Sequence, residues 1–207
     1  MRVAPIGRTC LPQTAKEASA LNLPNKLTII RIALTPVFLL FAALANRTGE
    51  PWLYLSAGIV FGIASLTDYF DGKIARERGL ITDFGKFADP LADKILTTTA
   101  LIYLMQAGVC HPVVLVAVMA REFAVAGLRM VAAGAKDGRV IAANRWGKWK
   151  TVVQMATVLF YYFGMSFPSA RGFVPPAASV LCWTVMVLTL VSGTIYLWSN
   201  RSFLSDF

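Results

Sequence analysis

Histidine is nearly absent from this chain: His111 alone, in 207 residues. The three cysteines, Cys10, Cys110 and Cys182, stand far apart, and no C-x-x-C occurs. These scarcities argue against a Cys/His zinc site and against a disulfide framework. The cysteines read as small buried side chains. No cysteine, serine or histidine is placed to serve as the nucleophile of a covalent intermediate. Residues 1–20 lack the apolar run of a signal peptide and are expected to form a loose arm. Neither a repeat at solenoid spacing nor a low-complexity tract occurs. Acids are scarce as well, 11 Asp+Glu against 20 Lys+Arg, for a formal charge of +9.

Apolar residues are what the chain has in quantity. They make up 57% of it, and the mean hydropathy is +0.60. About half is usual for a soluble domain. The excess falls into six runs, at about Thr28–Ala45, Trp52–Phe70, Leu91–Ala107, Val113–Ala133, Thr151–Phe167 and Ala177–Trp198. Each is near the roughly 20 residues that cross a bilayer. The expected fold is an all-α integral membrane domain over residues 21–207: six transmembrane helices after a short interfacial helix or turn at Leu21–Lys26. Gly72–Pro90 and Gly134–Lys150 are expected as loops. Lys and Arg crowd the amino-terminal arm, these two loops and the carboxyl end, whereas the alternate connections hold only Arg47 and Arg171. The positive-inside rule then puts both termini on the cytoplasmic side of the cell membrane. With apolar runs this long, the positive charge is read as facing lipid headgroups and phosphate substrates rather than nucleic acid.

The acids are concentrated in one stretch, DYFDGKIARERGLITDFGKFADPLAD, from Asp68 to Asp93. Asp68 and Asp71 are three apart and share a helix face; Asp89 and Asp93 are four apart and share another. Two such faces brought together give four carboxylates, a donor set for hard divalent cations such as Mg2+ or Mn2+. The plain alternative is helix capping and salt bridges, but four acids this close repel one another without cations. Intramembrane acids also mark ion pathways, so a divalent-cation transporter is a second class. Against it, the acids gather at one membrane face and the far half of the spans is almost free of charge.

The full spacing is D-x2-D-G-x2-A-R-x8-G-x3-D-x3-D, through Asp68, Asp71, Gly72, Ala75, Arg76, Gly85, Asp89 and Asp93. It resembles the motif of the CDP-alcohol phosphatidyltransferases, without departure. NLPNKLTIIRI (22–32), AREFAVAGLR (120–129) and GKWKTVVQM (147–155) are similar to members that use sn-glycerol 3-phosphate as acceptor. The resemblance implies a six-helix membrane fold, a homodimer, and a cavity open to the cytosol. It implies transfer of the phosphatidyl group from CDP-diacylglycerol to sn-glycerol 3-phosphate, with CMP leaving. Inositol phosphate, serine or phosphatidylglycerol as acceptor would leave the acidic motif unchanged.

Residue roles follow from the resemblance. Asp68, Asp71 and Asp89 ligate metal, and Asp93 completes a second site and serves as base toward the acceptor hydroxyl. Asp68, Gly72, Ala75, Arg76 and Gly85 bind the CDP moiety. Arg121 belongs to the acceptor-phosphate site, with the basic cluster Lys148 and Lys150, and with Arg129, Thr28 and Arg31 as further candidates. Other readings stay open: Arg76 as a positive-inside residue, Arg121 and Glu122 as a buried ion pair, Arg129 and Arg31 as snorkelling cations, and the lysines as contacts to anionic lipid. Lys148 and Thr151, three apart, are expected to share the cavity face, with Lys150 turned elsewhere.

Overall fold

The apolar runs all fold as helices, and most of the helices extend past the run that predicted them. The computed structural model describes residues 23–78, 83–134 and 145–201. Among them are six α-helices: α1 (Leu23–Thr48), α2 (Pro51–Arg78), α3 (Asp83–Gln106), α4 (Pro112–Gly134), α5 (Arg145–Met165) and α6 (Val174–Ser199). A short 3-10 helix, Pro168–Ala170, lies between α5 and α6, and no strand occurs among the described residues. Helices suit such apolar sequence because each satisfies its own backbone hydrogen bonds without water.

The connections explain the sharp reversals. Gly49 and Gly108 each adopt φ of +72°, just past the ends of α1 and α3. That left-handed conformation favours glycine at a helix exit. Pro51 and Pro112 then open the next helices, where a missing N–H costs nothing.

α1 packs most extensively against α2 and α3, α5 against α6 and α2, and α4 against α6. α3 and α4 meet over less surface, which leaves room between them. Aromatic rings fill the centre: Phe38 meets Phe61 at 5.5 Å and Tyr162 at 5.4 Å between ring centroids. Gly58 permits the approach of α5, since a Cβ there would sit 3.3 Å from Tyr162 Cβ.

Outside this core, large apolar side chains face outward on every helix, among them Leu40, Ile63, Ile95, Val116, Val152 and Val180. Water would penalise such a surface by about 25 cal/mol per Å². Two stretches, Ile30–Thr48 and Val174–Ser199, are long and apolar enough to cross a membrane; Pro51–Thr67 is a shorter apolar helical stretch.

Three expectations need correction. Gly72–Pro90 is not one loop: α2 continues to Arg78 and α3 begins at Asp83. Arg145–Lys150, expected within a basic loop, forms the first turns of α5. Leu23–Lys26 begins α1 rather than forming a separate interfacial helix. The cause is common to all three. Hydropathy marks where a chain changes medium, whereas Lys, Arg, Glu, Ala and Leu keep a helix going in polar surroundings. Residues 1–20, expected as an arm, lie outside the described residues.

At the end of the bundle away from the acidic stretch, Arg171 ties two connections together, α1–α2 and α5–α6. It donates from Nη2 to the Gly49 carbonyl at 2.6 Å and from Nε to the Met165 carbonyl at 3.2 Å. Its guanidinium also stands 5.9 Å from the Tyr54 ring centre. Hydrogen bonds from a charged donor contribute roughly 1.5–3 kcal/mol. Arg171→Ala is therefore expected to lower the thermal midpoint in detergent by about 5 °C, with catalytic rate per folded molecule unchanged. A melting curve followed by circular dichroism checks it.

Candidate active site

The acidic motif rides on two helices. Asp68, Asp71, Gly72, Ala75 and Arg76 belong to the last turns of α2, and Gly85, Asp89 and Asp93 to the first half of α3. On α2 their register continues the buried stripe Ala57, Phe61, Ala64; on α3 it runs into Ala92, Leu96 and Ala100. The side chains of these eight residues, and that of Thr28, lie outside the described residues.

Across from α3 stands a cluster whose side chains are described. Glu122 of α4 accepts through one oxygen, Oε1, from Arg121 Nη1 at 2.9 Å and from Lys150 Nζ of α5 at 2.9 Å. Lys150 is 3% exposed. Burial of a lysine costs several kcal/mol unless it is paired, and Glu122 supplies the pair. The same bond bridges α4 to α5.

Arg121 is seated by two glycines. A Cβ at Gly147 of α5 would come within 2.9 Å of Arg121 Nη2, and one at Gly193 of α6 within 3.0 Å of Arg121 Cγ. The guanidinium therefore occupies a slot between α5 and α6 that larger residues would close. Its Nε is buried without a hydrogen-bond partner among the described residues.

A cavity of about 280 Å³ opens between α3, α4 and α5. Lys94, Thr98, Glu122, Lys150 and Gln154 supply its polar lining, with Ile95 and Phe123 among the apolar residues. Among the described residues, Lys94, Lys150 and the adjoining Arg121 against Glu122 leave two net positive charges around the cavity. Such an excess favours a dianion. A phosphate monoester is one.

The remaining candidates are scattered. Arg31 is fully buried, carried inward by α1, rather than snorkelling to the surface. Arg129 donates from Nε to Tyr196 Oη at 3.2 Å and lies over the same ring at 5.6 Å, joining α4 to α6. Lys148 is exposed, and the Thr151 hydroxyl donates to the Gly147 carbonyl within its own helix. Lys150, not Lys148, shares the buried stripe of α5 with Gln154, Thr157, Val158 and Tyr161. The expected order of the two lysines is thus reversed.

Lys94 and Gln154 had not been singled out from the sequence. Lys94 follows Asp93 directly, and Gln154 lies four residues after Lys150, so two polar groups recur at helical spacing in an otherwise apolar run.

Comparison with known proteins gives the family. A Bacillus subtilis (strain 168) protein named CDP-diacylglycerol–glycerol-3-phosphate 3-phosphatidyltransferase is 39% identical over 190 residues, covering 86% of this chain and 95% of that protein. A Rickettsia typhi protein of the same name is 35% identical over 175 residues, covering 84% and 94%. A Mycobacterium tuberculosis (strain H37Rv) protein named probable phosphatidylglycerophosphate synthase is 37% identical over 184 residues, covering 89% and 84%. With residues 21–191 also matching the family model described as CDP-alcohol phosphatidyltransferase, the chain belongs to that family.

Proposed function

We propose that this protein is a membrane enzyme that transfers the phosphatidyl group of CDP-diacylglycerol to sn-glycerol 3-phosphate, giving phosphatidylglycerol phosphate and CMP. The observation that carries this reading is the 39% identity to the Bacillus subtilis protein of that activity's name, extending over 86% of the chain. The cations around the α3–α4–α5 cavity, with Lys150 buried among them, support it, because a phosphorylated acceptor needs them and an uncharged alcohol does not.

In this reading all six helices cross the cell membrane, and the outward apolar side chains on each of them meet lipid. Both termini and the acidic motif face the cytoplasm, by the distribution of Lys and Arg. The functional unit is a homodimer.

The acid set fits divalent cations by its chemistry: four carboxylates, all-oxygen donors, two on each of two helices. Asp68, Asp71, Asp89 and Asp93 would hold two Mg2+ or Mn2+ ions. When bound, such ions neutralise the diphosphate and stabilise the leaving phosphate oxygen. The chain's own groups do the rest. Gly72, Ala75 and Gly85 let the cytidine moiety approach the backbone, and Arg76 pairs with the diphosphate. Arg121 and Lys150 hold the acceptor phosphate, with Lys148, Arg129, Thr28 and Arg31 as outer candidates. Asp93 takes the proton from the acceptor's primary hydroxyl. That oxygen attacks the lipid-linked phosphorus in line, the bond to CMP breaks, and no covalent enzyme intermediate forms.

The test is direct. Purified protein in mixed micelles, given CDP-diacylglycerol and labelled sn-glycerol 3-phosphate, is expected to form labelled phosphatidylglycerol phosphate and one equivalent of CMP. Offered serine, inositol phosphate or phosphatidylglycerol instead, it should release little CMP. Preference for one of these acceptors would overturn the assignment.

A further inference from the structure

One buried group in the cavity has no partner. Gln154 is 3% exposed, and its Oε1 has no hydrogen-bond partner among the described residues. It lines the cavity together with Lys94, Glu122 and Lys150. An amide oxygen left unsatisfied in an apolar helix bundle is costly, and proteins seldom keep one without a use. Nothing else on α5 compensates for it: Thr157 returns its own hydroxyl to the Val153 carbonyl at 2.7 Å. What this oxygen lacks is a donor; it is closed off as the side chain stands, but the same side chain lines the cavity, and a rotation of its terminal amide presents the oxygen there.

Lys150 stands one helical turn from Gln154 on the same buried stripe. A ligand whose phosphate lies near Lys150 and Arg121 therefore extends a neutral portion past Gln154. A small polyol phosphate fits within about 280 Å³. On the proposed reading the acceptor carries two hydroxyls. The primary one reacts and gives up its proton; the secondary one stays intact and still needs an acceptor.

We infer that Gln154 is a specificity-determining residue, its Oε1 accepting a hydrogen bond from the secondary, non-reacting hydroxyl of the glycerol 3-phosphate acceptor. This inference rests on the proposed activity. A site built to hydrogen-bond a substrate hydroxyl rejects the analogue lacking it, because the buried group is then left unpaired.

The probe is 3-hydroxypropyl phosphate, which keeps the phosphate and a primary hydroxyl but lacks the secondary one. Wild-type enzyme is expected to use it with kcat/KM at least about tenfold below that for sn-glycerol 3-phosphate, as one lost buried hydrogen bond predicts. Gln154→Met keeps length and removes the oxygen. It should lower kcat/KM for sn-glycerol 3-phosphate by a similar factor, leave 3-hydroxypropyl phosphate within about twofold, and so erase the preference. Gln154→Glu, which retains an acceptor, should restore part of it. Equal use of both acceptors by the wild type would overturn the inference even if the variants failed to fold. So would an equal loss on both acceptors in Gln154→Met, the sign of a purely structural residue. Should the wild type use neither phosphate but another alcohol, the parent assignment fails instead, and the two failures are told apart in one assay.

Discussion

Asp93→Asn is expected to reduce transfer by about 10²–10⁴-fold, the usual weight of a positioned general base, while the protein still folds and inserts. Asn keeps the size of Asp and its position on α3, but it neither takes a proton nor contributes negative charge to a cation site. Asp89→Asn should be comparably inactive for the second reason alone. The two variants separate through metal dependence. If Asp89 is a ligand and not a base, raising Mg2+ or Mn2+ should recover part of the Asp89→Asn rate; it should recover little for Asp93→Asn, whose proton-accepting role no added ion replaces. Release of CMP from CDP-diacylglycerol across a metal titration measures both. Near-normal turnover of either variant at ordinary metal concentration would remove the paired-cation scheme. Chromatography of the purified variants in detergent guards against mistaking misfolding for lost chemistry.

The acid motif was legible in sequence because its information is local. Asp68 and Asp71, or Asp89 and Asp93, lie within one helical turn, and register alone sets each pair on a shared stripe. The number of helices was legible for a related reason: an apolar run long enough to span lipid has few other ways to satisfy its backbone. Their ends were not. α2 runs eight residues past Phe70 because, after Asp71 and Gly72, KIARER loses hydrophobicity but is rich in the helix formers Lys, Ala, Arg and Glu. The buried cluster was legible in part. Arg121 and Glu122 stood out as charges inside an apolar run, but the partner of Glu122 lies 28 residues on, across a helix reversal, and no spacing rule links them. Lys148, spaced to share a face with Thr151, looked the better placed of the two lysines, but the packing of α5 against α2 and α6 turns Lys150 inward instead. Gln154 is neutral and sits in an apolar stretch, so only its burial without a partner distinguishes it.

Arg121→Lys is expected to lower kcat/KM for sn-glycerol 3-phosphate by about 100-fold, chiefly through KM, while KM for CDP-diacylglycerol stays near its wild-type value. A lysine preserves the charge, so a simple Coulombic role predicts little change. The geometry predicts otherwise. Arg121 spends Nη1 on Glu122 at 2.9 Å and keeps Nη2 and Nε for something else, a division that a single ammonium group cannot reproduce. The slot supplies an independent check. Gly147→Ala sets a methyl group 2.9 Å from Arg121 Nη2, closer than such contacts tolerate, and the flexible end of the side chain yields at small cost in stability. The guanidinium is then displaced by at least some tenths of an ångström from its working position, on the way to the roughly 1 Å misplacement that costs about 10²-fold. Gly147→Ala should therefore melt close to wild type yet need a markedly higher concentration of sn-glycerol 3-phosphate. A structural ion pair behaves in the opposite way: breaking Arg121–Glu122–Lys150 would depress the melting temperature and leave the acceptor KM alone. Measuring both quantities on Arg121→Lys, Gly147→Ala and Glu122→Gln distinguishes the two cases. Glu122→Gln is the variant that should move both, since it loosens the α4–α5 bridge and frees Lys150 and Arg121 from the carboxylate that fixes their spacing.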